Sequence, residues 1–342
     1  MRVTRTRWVQ RWGGGVAALA VAAAVPVASV GPRASAAAGN GDRGGRGPVE
    51  LVGPVSEALD VNDRGVVVGV RFEAGTVDLH AFRRSARGEL TDLGPGVARA
   101  VNDRGVVVGE GWVTPGTSRA TLWDARGRAH DLGIGDGSSA TDINDRGQVV
   151  GHASDPLGDR AFVVSLGSAP VFLPPAPGTD PHHEIATAIN ERGDVAGYGR
   201  YSGTALLAPV VWRGRSHAPE RLPAPNTYHS VVDINEQGTV LGNVGDAEGY
   251  RAVVWTGPDH LEVAVAARGS NAIGEAINDR GQVAGRLLDT NEAFRWDPRT
   301  RRTTVLEGLS PAGEAYAIDD RGCAVGASYR DGLARATLFA PC

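Results

Sequence analysis

From residue 48 onward, short apolar runs alternate with polar turns, and the alternation itself repeats. The first copy is Ala58-Leu59-Asp60-Val61-Asn62-Asp63-Arg64-Gly65-Val66-Val67-Val68-Gly69. Six more copies centre on Asn102, Asn144, Asn190, Asn235, Asn278 and, with Asp for Asn, Asp319, in steps of 40, 42, 46, 45, 43 and 41 residues. Val or Ile always precedes this centre, and Gly always stands three and seven residues after it. The Asn side chain bonds to backbone two residues on, and Gly accepts φ > 0 without a Cβ clash. Flanked by β-branched residues, the segment reads as a hairpin. The second Gly marks a bulge or a close approach of backbone.

A third apolar run follows each hairpin: His80-Ala81-Phe82, Arg119-Ala120-Thr121-Leu122-Trp123, Arg160-Ala161-Phe162, Pro209-Val210-Val211-Trp212, Arg251-Ala252-Val253-Val254-Trp255, Glu292-Ala293-Phe294-Arg295-Trp296 and Arg335-Ala336-Thr337-Leu338-Phe339. Its closing aromatics, four of the seven Trp in the chain among them, predict packing between units rather than sugar stacking. After a polar turn comes a shorter fourth run, such as Glu89-Leu90-Thr91-Asp92-Leu93. Four short strands joined by tight turns, repeated at 40–46 residues, predict an all-β, seven-bladed β-propeller of four-stranded blades. The seventh unit stops after its third strand, and Pro48-Val49-Glu50-Leu51-Val52-Gly53 stands alone before the first hairpin. Pairing the two closes the last blade with the N-terminal strand and leaves no open sheet edge. Cys323 and Cys342, on the second and third strands of the last unit, are expected to form a disulfide across that pair.

The start of the chain has a different character. Arg2, Arg5, Arg7 and Arg11 precede the Ala/Val-rich run Val16–Val30 and the small-x-small site Ala34-Ser35-Ala36. Residues 1–36 are expected to be a signal peptide, residues 37–47 a flexible Gly-rich linker, and residues 48–342 the propeller. The run is short for a membrane span of about 20 residues, so no membrane insertion is expected after cleavage and the product is expected to be secreted. The basic residues are all Arg, and without residues 1–36 there remain 30 Arg against 39 acids, a net charge of −9. That balance argues against nucleic acid as a partner.

The repeat resembles the HAF-repeat extracellular proteins. The resemblance covers residues 48–342 and rests on [VI]-N-[DE]-x-G-x-[VA]-x-G, followed by a run with Ala and an aromatic; His80-Ala81-Phe82 carries the tripeptide literally. It implies secretion and a propeller-like β fold. It implies no settled activity and no catalytic residues.

Several patterns suggest chemistry. Asp60-Val61-Asn62-Asp63-Arg64-Gly65 and Asp142-Ile143-Asn144-Asp145-Arg146-Gly147 superficially match a calcium loop, but Arg64 and Arg146 occupy a place that needs an oxygen ligand. Asp180, His182, His183 and Glu184 fall in the longest insertion, and His229 lies near the same place in the next unit. Adjacent histidines do not both face one ion, so no metal and no cofactor is expected, and the stretch reads as a solvated loop. No G-x-S-x-G elbow and no phosphate-cradling Gly loop is present.

The clearer hint of recognition is variation inside fixed strands. Three residues before each centre stand Leu59, Arg99, Thr141, Thr187, Val232, Glu275 and Tyr316; eight residues after it stand Val70, Glu110, His152, Tyr198, Asn243, Arg286 and Ala327. Arg99, Glu275, Tyr316, His152, Tyr198, Arg286, His183 and His229 are the candidate binding residues, with no catalytic residue and no metal assigned. The chain therefore reads as a secreted, monomeric, non-enzymatic propeller that binds a protein or a glycan. A carbohydrate-binding or carbohydrate-cleaving propeller, which needs two carboxylates about 5–10 Å apart, and a structural cell-surface protein are the alternatives.

Overall fold

The computed structural model describes residues 47–72, 78–114, 116–224, 228–246, 249–257, 260–263 and 271–342. The expected signal peptide and all but the last residue of the linker lie outside them. The described residues form strands β1 (Val49–Pro54) to β27 (Leu333–Leu338), numbered in chain order, with one three-residue helical turn at Gly214–Ser216. No described helix is long and apolar enough to cross a membrane.

Unit three shows the plan. Strands β9 (Ser138–Ile143), β10 (Gln148–Asp155), β11 (Gly158–Ser165) and β12 (Val171–Phe172) pair in sequence order, all antiparallel. The other units repeat this order. In unit seven, β25 (Gly313–Ile318), β26 (Ala324–Arg330) and β27 are joined by β1, which pairs antiparallel to β27. The two ends of the described chain thus share one sheet. Glu50 accepts from Arg330 at 2.9 Å and Arg335 at 2.7 Å across that pair. The Cys323–Cys342 disulfide is present with Cα atoms 4.6 Å apart. Both cysteines lie just outside the strands rather than within them, because Cys323 precedes β26 and the chain has left β27 by Leu338.

Each unit buries its apolar face against the next, so the hydrophobic core is distributed over the seams. Ala100, Val108 and Leu122 of unit two pack with Ala140, Ile143 and Phe162 of unit three. The same arrangement recurs at the seams of units one with two, three with four, four with five, five with six and six with seven. It also joins the last unit to the first, where Val52, Ala58 and Phe82 pack with Ala317, Val325 and Ala336. Trp123, Trp212 and Trp255 are fully buried and donate their indole N–H to Leu93, Pro174 and Pro223 carbonyls of the preceding unit. They therefore pack between units, as their strand position predicts.

The invariant Asn does more than make its own turn. The Asn62 side-chain oxygen accepts from Arg64 and Val66 N–H within the turn. Its amide donates across the seam to the Asn102 carbonyl at 2.8 Å. The relay continues through Asn102, Asn144, Asn190, Asn235 and Asn278, which donates to the Asp319 carbonyl. Outside it, each carboxylate that follows the Asn accepts the corresponding N–H of the preceding unit: Asp63 from Asp320, Asp103 from Asp63, Asp145 from Asp103, and so through Glu191, Glu236, Asp279 and Asp320. This second series returns to its starting residue.

Asp319 breaks the first series, because a carboxylate has no hydrogen to donate. Its oxygens take Arg321 and Cys323 N–H and the Arg321 guanidinium instead. Asp319→Asn supplies the missing donor at the last seam and is expected to raise stability by about 1 kcal/mol, checked by urea denaturation.

Two residues before the centre, units one to seven carry Asp60, Ala100, Asp142, Ala188, Asp233, Ala276 and Ala317. Each Asp accepts the next N–H of its own strand and the equivalent N–H of the following unit, Val101 at 2.7 Å, Ile189 at 2.8 Å and Ile277 at 2.8 Å. The carboxylates staple the units in pairs, one with two, three with four and five with six; unit seven is left over. Burial lifts Asp60 and Asp142 to about 7, against the lowering effect of their backbone bonds. Burial raises Asp233 as well, and its charge raises both others.

Because the folded state holds these protons more tightly than the unfolded chain, their stabilisation is full below about pH 4 and is lost as pH rises to about 7. Asp180 has the opposite sign. Its bond to Arg200 and backbone lowers it to about 2, so its contribution disappears as pH falls below about 4. Thermal melts are expected to show maximal Tm near pH 4–5 and a fall of several degrees by pH 8. Asp142→Ala is expected to lower Tm throughout and to flatten that slope.

Candidate functional site

The first strand of every unit contains a bulge. The pairing of β9 with β10 slips by one residue at Thr141, and the same slip falls at Leu59, Arg99, Thr187, Val232, Glu275 and Tyr316. The bulge pushes a carbonyl toward the second invariant Gly. A Cβ on Gly69, Gly109, Gly151, Gly197, Gly242, Gly285 or Gly326 would lie 2.0–2.2 Å from the carbonyl oxygen five residues before the centre. Bulge and close approach are thus two sides of one contact. The bulged residues are half-buried.

The residues eight after the centre are deeper than a recognition surface requires. Glu110, His152, Tyr198, Asn243 and Ala327 are buried. The cause is the pleat: these side chains share a face with the residue five before the centre and lie against the neighbouring unit. Asn243 shows the consequence, exchanging two hydrogen bonds with the Gly274 backbone of unit six.

At the seam of units two and three this geometry builds a polar cluster. Arg99 Nη2 donates to Glu110 Oε1 at 2.6 Å, and Arg99 Nε donates to Ser139 Oγ of the next unit at 3.1 Å. Ser139 is the register partner of His152. His152 is 4% exposed, and its buried Nδ1 has no hydrogen-bond partner among the described residues. Burial lowers its pKa, Asp159 and Glu110 oppose that, and Arg99 reinforces it, so the imidazole is neutral near pH 7. An unsatisfied buried nitrogen costs about 1–3 kcal/mol, and a polar ligand atom meeting it removes that cost.

The other candidates sit elsewhere. Arg286 and Tyr316 meet at Glu314 of unit seven, with Arg286 Nη1 at 3.4 Å and the Tyr316 hydroxyl donating at 3.1 Å. Tyr198 packs in a small apolar group with Ile185 and Leu207. Glu275 is a half-buried bulge residue. His229 is 1% exposed and aligns with Glu184, not with His183 as its sequence neighbourhood suggested.

The stretch from Asp180 to Glu184 is not a solvated loop. It lies in β13 (Thr179–Ile189), whose Thr179 and Glu184 pair with Tyr201 and Gly199 of β14 (Val195–Tyr201), and it distributes its side chains rather than converging them. His182 turns to Asp155 at 3.6 Å, and His183 lies 3.0 Å from Arg200 and 3.3 Å from Asp180. Glu184 is buried and pushed up to about 7 by that burial. No group of three or more His, Cys, Asp or Glu among the described residues is disposed to hold a metal ion.

Ser139, Glu110 and Glu314 complete the clusters and were not singled out from sequence. Glu110 stood among the variable residues; Ser139 and Glu314 had no local signal, because only strand register brings them in.

Solved structures share this arrangement of sheets. Over 84% of this chain and 94% of that one, it superposes on the β-propeller domain of the Trilobed protease from Pyrococcus furiosus with TM-score 0.56 at 10% identity. The fold is a β-propeller. Virginiamycin B lyase from Staphylococcus aureus matches the propeller over 85% of this chain and 98% of that one, with TM-score 0.57 at 8% identity. TolB from Acinetobacter baumannii matches it over 72% of this chain but only 65% of that one, with TM-score 0.53 at 10% identity. At such identities the likeness carries the fold and not an activity. The sequence matches no protein-family model and no curated protein.

Proposed function

We propose that the seven four-stranded units close into a seven-bladed propeller of the HAF-repeat kind, exported and acting as a non-enzymatic binding module. Closure is supported by the β1–β27 pair, the core cluster joining units one and seven, and the carboxylate series that returns from Asp320 to Asp63. Export is supported by the N-terminal residue pattern and by the disulfide, a bond that persists in oxidising compartments.

One observation carries the binding reading: the partnerless, buried Nδ1 of His152 beside the Arg99–Glu110 pair. The invariant residues are committed to joining the units. The Arg99, Glu110, Ser139 and His152 cluster is where the first and second strands of units two and three keep an unmet hydrogen-bonding group next to a fixed charge pair, a combination suited to a hydroxyl-rich or amide-bearing ligand.

The test is a glycan and peptide array probed with the full mature chain and with His152→Phe, paired with polysaccharide turnover assays. Binding without turnover, weakened at least tenfold by His152→Phe, is expected. Turnover assigns an enzyme instead. Silence in both assays, or binding indifferent to His152→Phe, overturns the reading and leaves a structural surface protein.

A further inference from the structure

In units one, two, three, four and six, the turns that join third to fourth strands contain residues in the left-handed region. Units one, two and three place Gly there: Gly88 at φ 93°, Gly127 at 81° and Gly167 at 82°. Units four and six place non-glycine residues there, His217 at φ 48° and Arg301 at 52°, with Gly214 at φ 57° also in the turn of unit four. A non-glycine residue in this region is strained, and such strain concentrates at functional positions. Each of the two strained residues lines a cavity between its unit and the preceding one, about 300 Å³ at His217 and about 360 Å³ at Arg301.

The two cavities differ in charge. The one at Arg301 carries Gln237 and the carboxylate Asp279. The one at His217 is walled by Arg146, Arg192, Arg215, His217 and Gln148, with glycine between them and no carboxylate in its lining. Arg146 approaches Glu191 only at 3.8 Å, and Arg192 meets Asp194 at 3.4 Å, and neither carboxylate belongs to the lining. Arg215 makes no ion pair among the described residues. His217 Nδ1 is buried and has no hydrogen-bond partner there.

We infer that the cavity between units three and four is an oxyanion site, taking a sulfate, phosphate or carboxylate group between Arg146, Arg192 and Arg215 with His217 Nδ1–H as a neutral donor. Arg guanidinium groups match the oxygen spacing of such anions and remain charged at all working pH values. The volume accommodates one oxyanion and part of the molecule that carries it. This site stands apart from the Arg99–His152 cluster and does not depend on it.

The test is calorimetric titration of the full mature chain with sodium sulfate, against sodium chloride at matched ionic strength. Saturable sulfate binding is expected. Arg215→Gln is expected to weaken it about tenfold, the loss of one charge-assisted bond. His217→Gly is expected to weaken it to a similar degree while leaving Tm equal to or above that of the wild type, because glycine relieves the strained φ. That pairing separates lost binding from lost folding. A sulfated disaccharide binding more tightly than inorganic sulfate assigns the site to glycans, whereas equal affinity assigns it to the free ion. Absence of saturable binding, or affinity unchanged in both variants, overturns the inference.

Discussion

Gly285→Ala is expected to destabilise the protein by more than about 4 kcal/mol, although it adds a single methyl group. The methyl would sit 2.0 Å from the Ile273 carbonyl oxygen and 3.0 Å from the Gly274 backbone. Backbone atoms cannot rotate away as a side chain can, so either the strand pairing or the bulge has to break. The bulge places Glu275 and keeps β21 (Ala272–Ile277) in register with β22 (Val283–Leu287). Gly53→Ala provides the control: nothing lies within 4 Å of its added methyl, and a change within about 0.5 kcal/mol is expected. Urea denaturation of the two variants checks the contrast. Similar stability for both would refute the steric account of the second invariant glycine.

Deletion of residues 48–54 is expected to be nearly as damaging, at roughly 3–5 kcal/mol, or about 10 °C in Tm. It removes Val52 from the cluster that joins units seven and one, and it removes Glu50 from between Arg330 and Arg335. It also exposes the hydrogen-bonding edge of β27, which the disulfide alone does not cover. An exposed edge recruits other chains, so the deleted protein is expected to associate with rising concentration in light scattering where the intact one does not. Glu50→Ala separates the contributions. It keeps the strand and is expected to cost only about 1 kcal/mol.

These expectations share one cause. The core is a succession of seams, each held by its own cluster, and stability is close to a sum of nearest-neighbour terms. A closed arrangement adds one further seam, between last unit and first, and both the missing Asn donor at Asp319 and the leftover unit without an Asp staple fall on unit seven. The seam between the last unit and the first is the one that the repeat's own side chains tie least. The N-terminal strand, the Glu50 ion pairs and the disulfide are concentrated within that last unit.

Much of this was legible along the chain. The Asn turn, the φ > 0 glycine after it, the four runs per unit, the seam-facing Trp and the Cys323–Cys342 bond all follow from local residue chemistry read at a fixed period. The staple of Asp60, Asp142 and Asp233 was written there too, as a simple alternation with Ala, but it resembled the first position of a calcium loop and its true partners are backbone N–H groups 41 to 47 residues on. The candidate site was less legible. Variation at the positions of Arg99 and His152 pointed to the strands that carry the proposed cluster, yet whether those side chains meet solvent or a neighbouring unit depends on the bulge and on strand register.

The sequence by itself determined the repeat, its turns and the strand content of each unit, because those depend on interactions within a few residues. Only the tertiary structure decided which polar groups are used up between units and which are left unmet, as at His152 and His217. A hydrogen bond across a seam joins residues that share no local pattern, and its presence depends on register and on the packing of one sheet against the next.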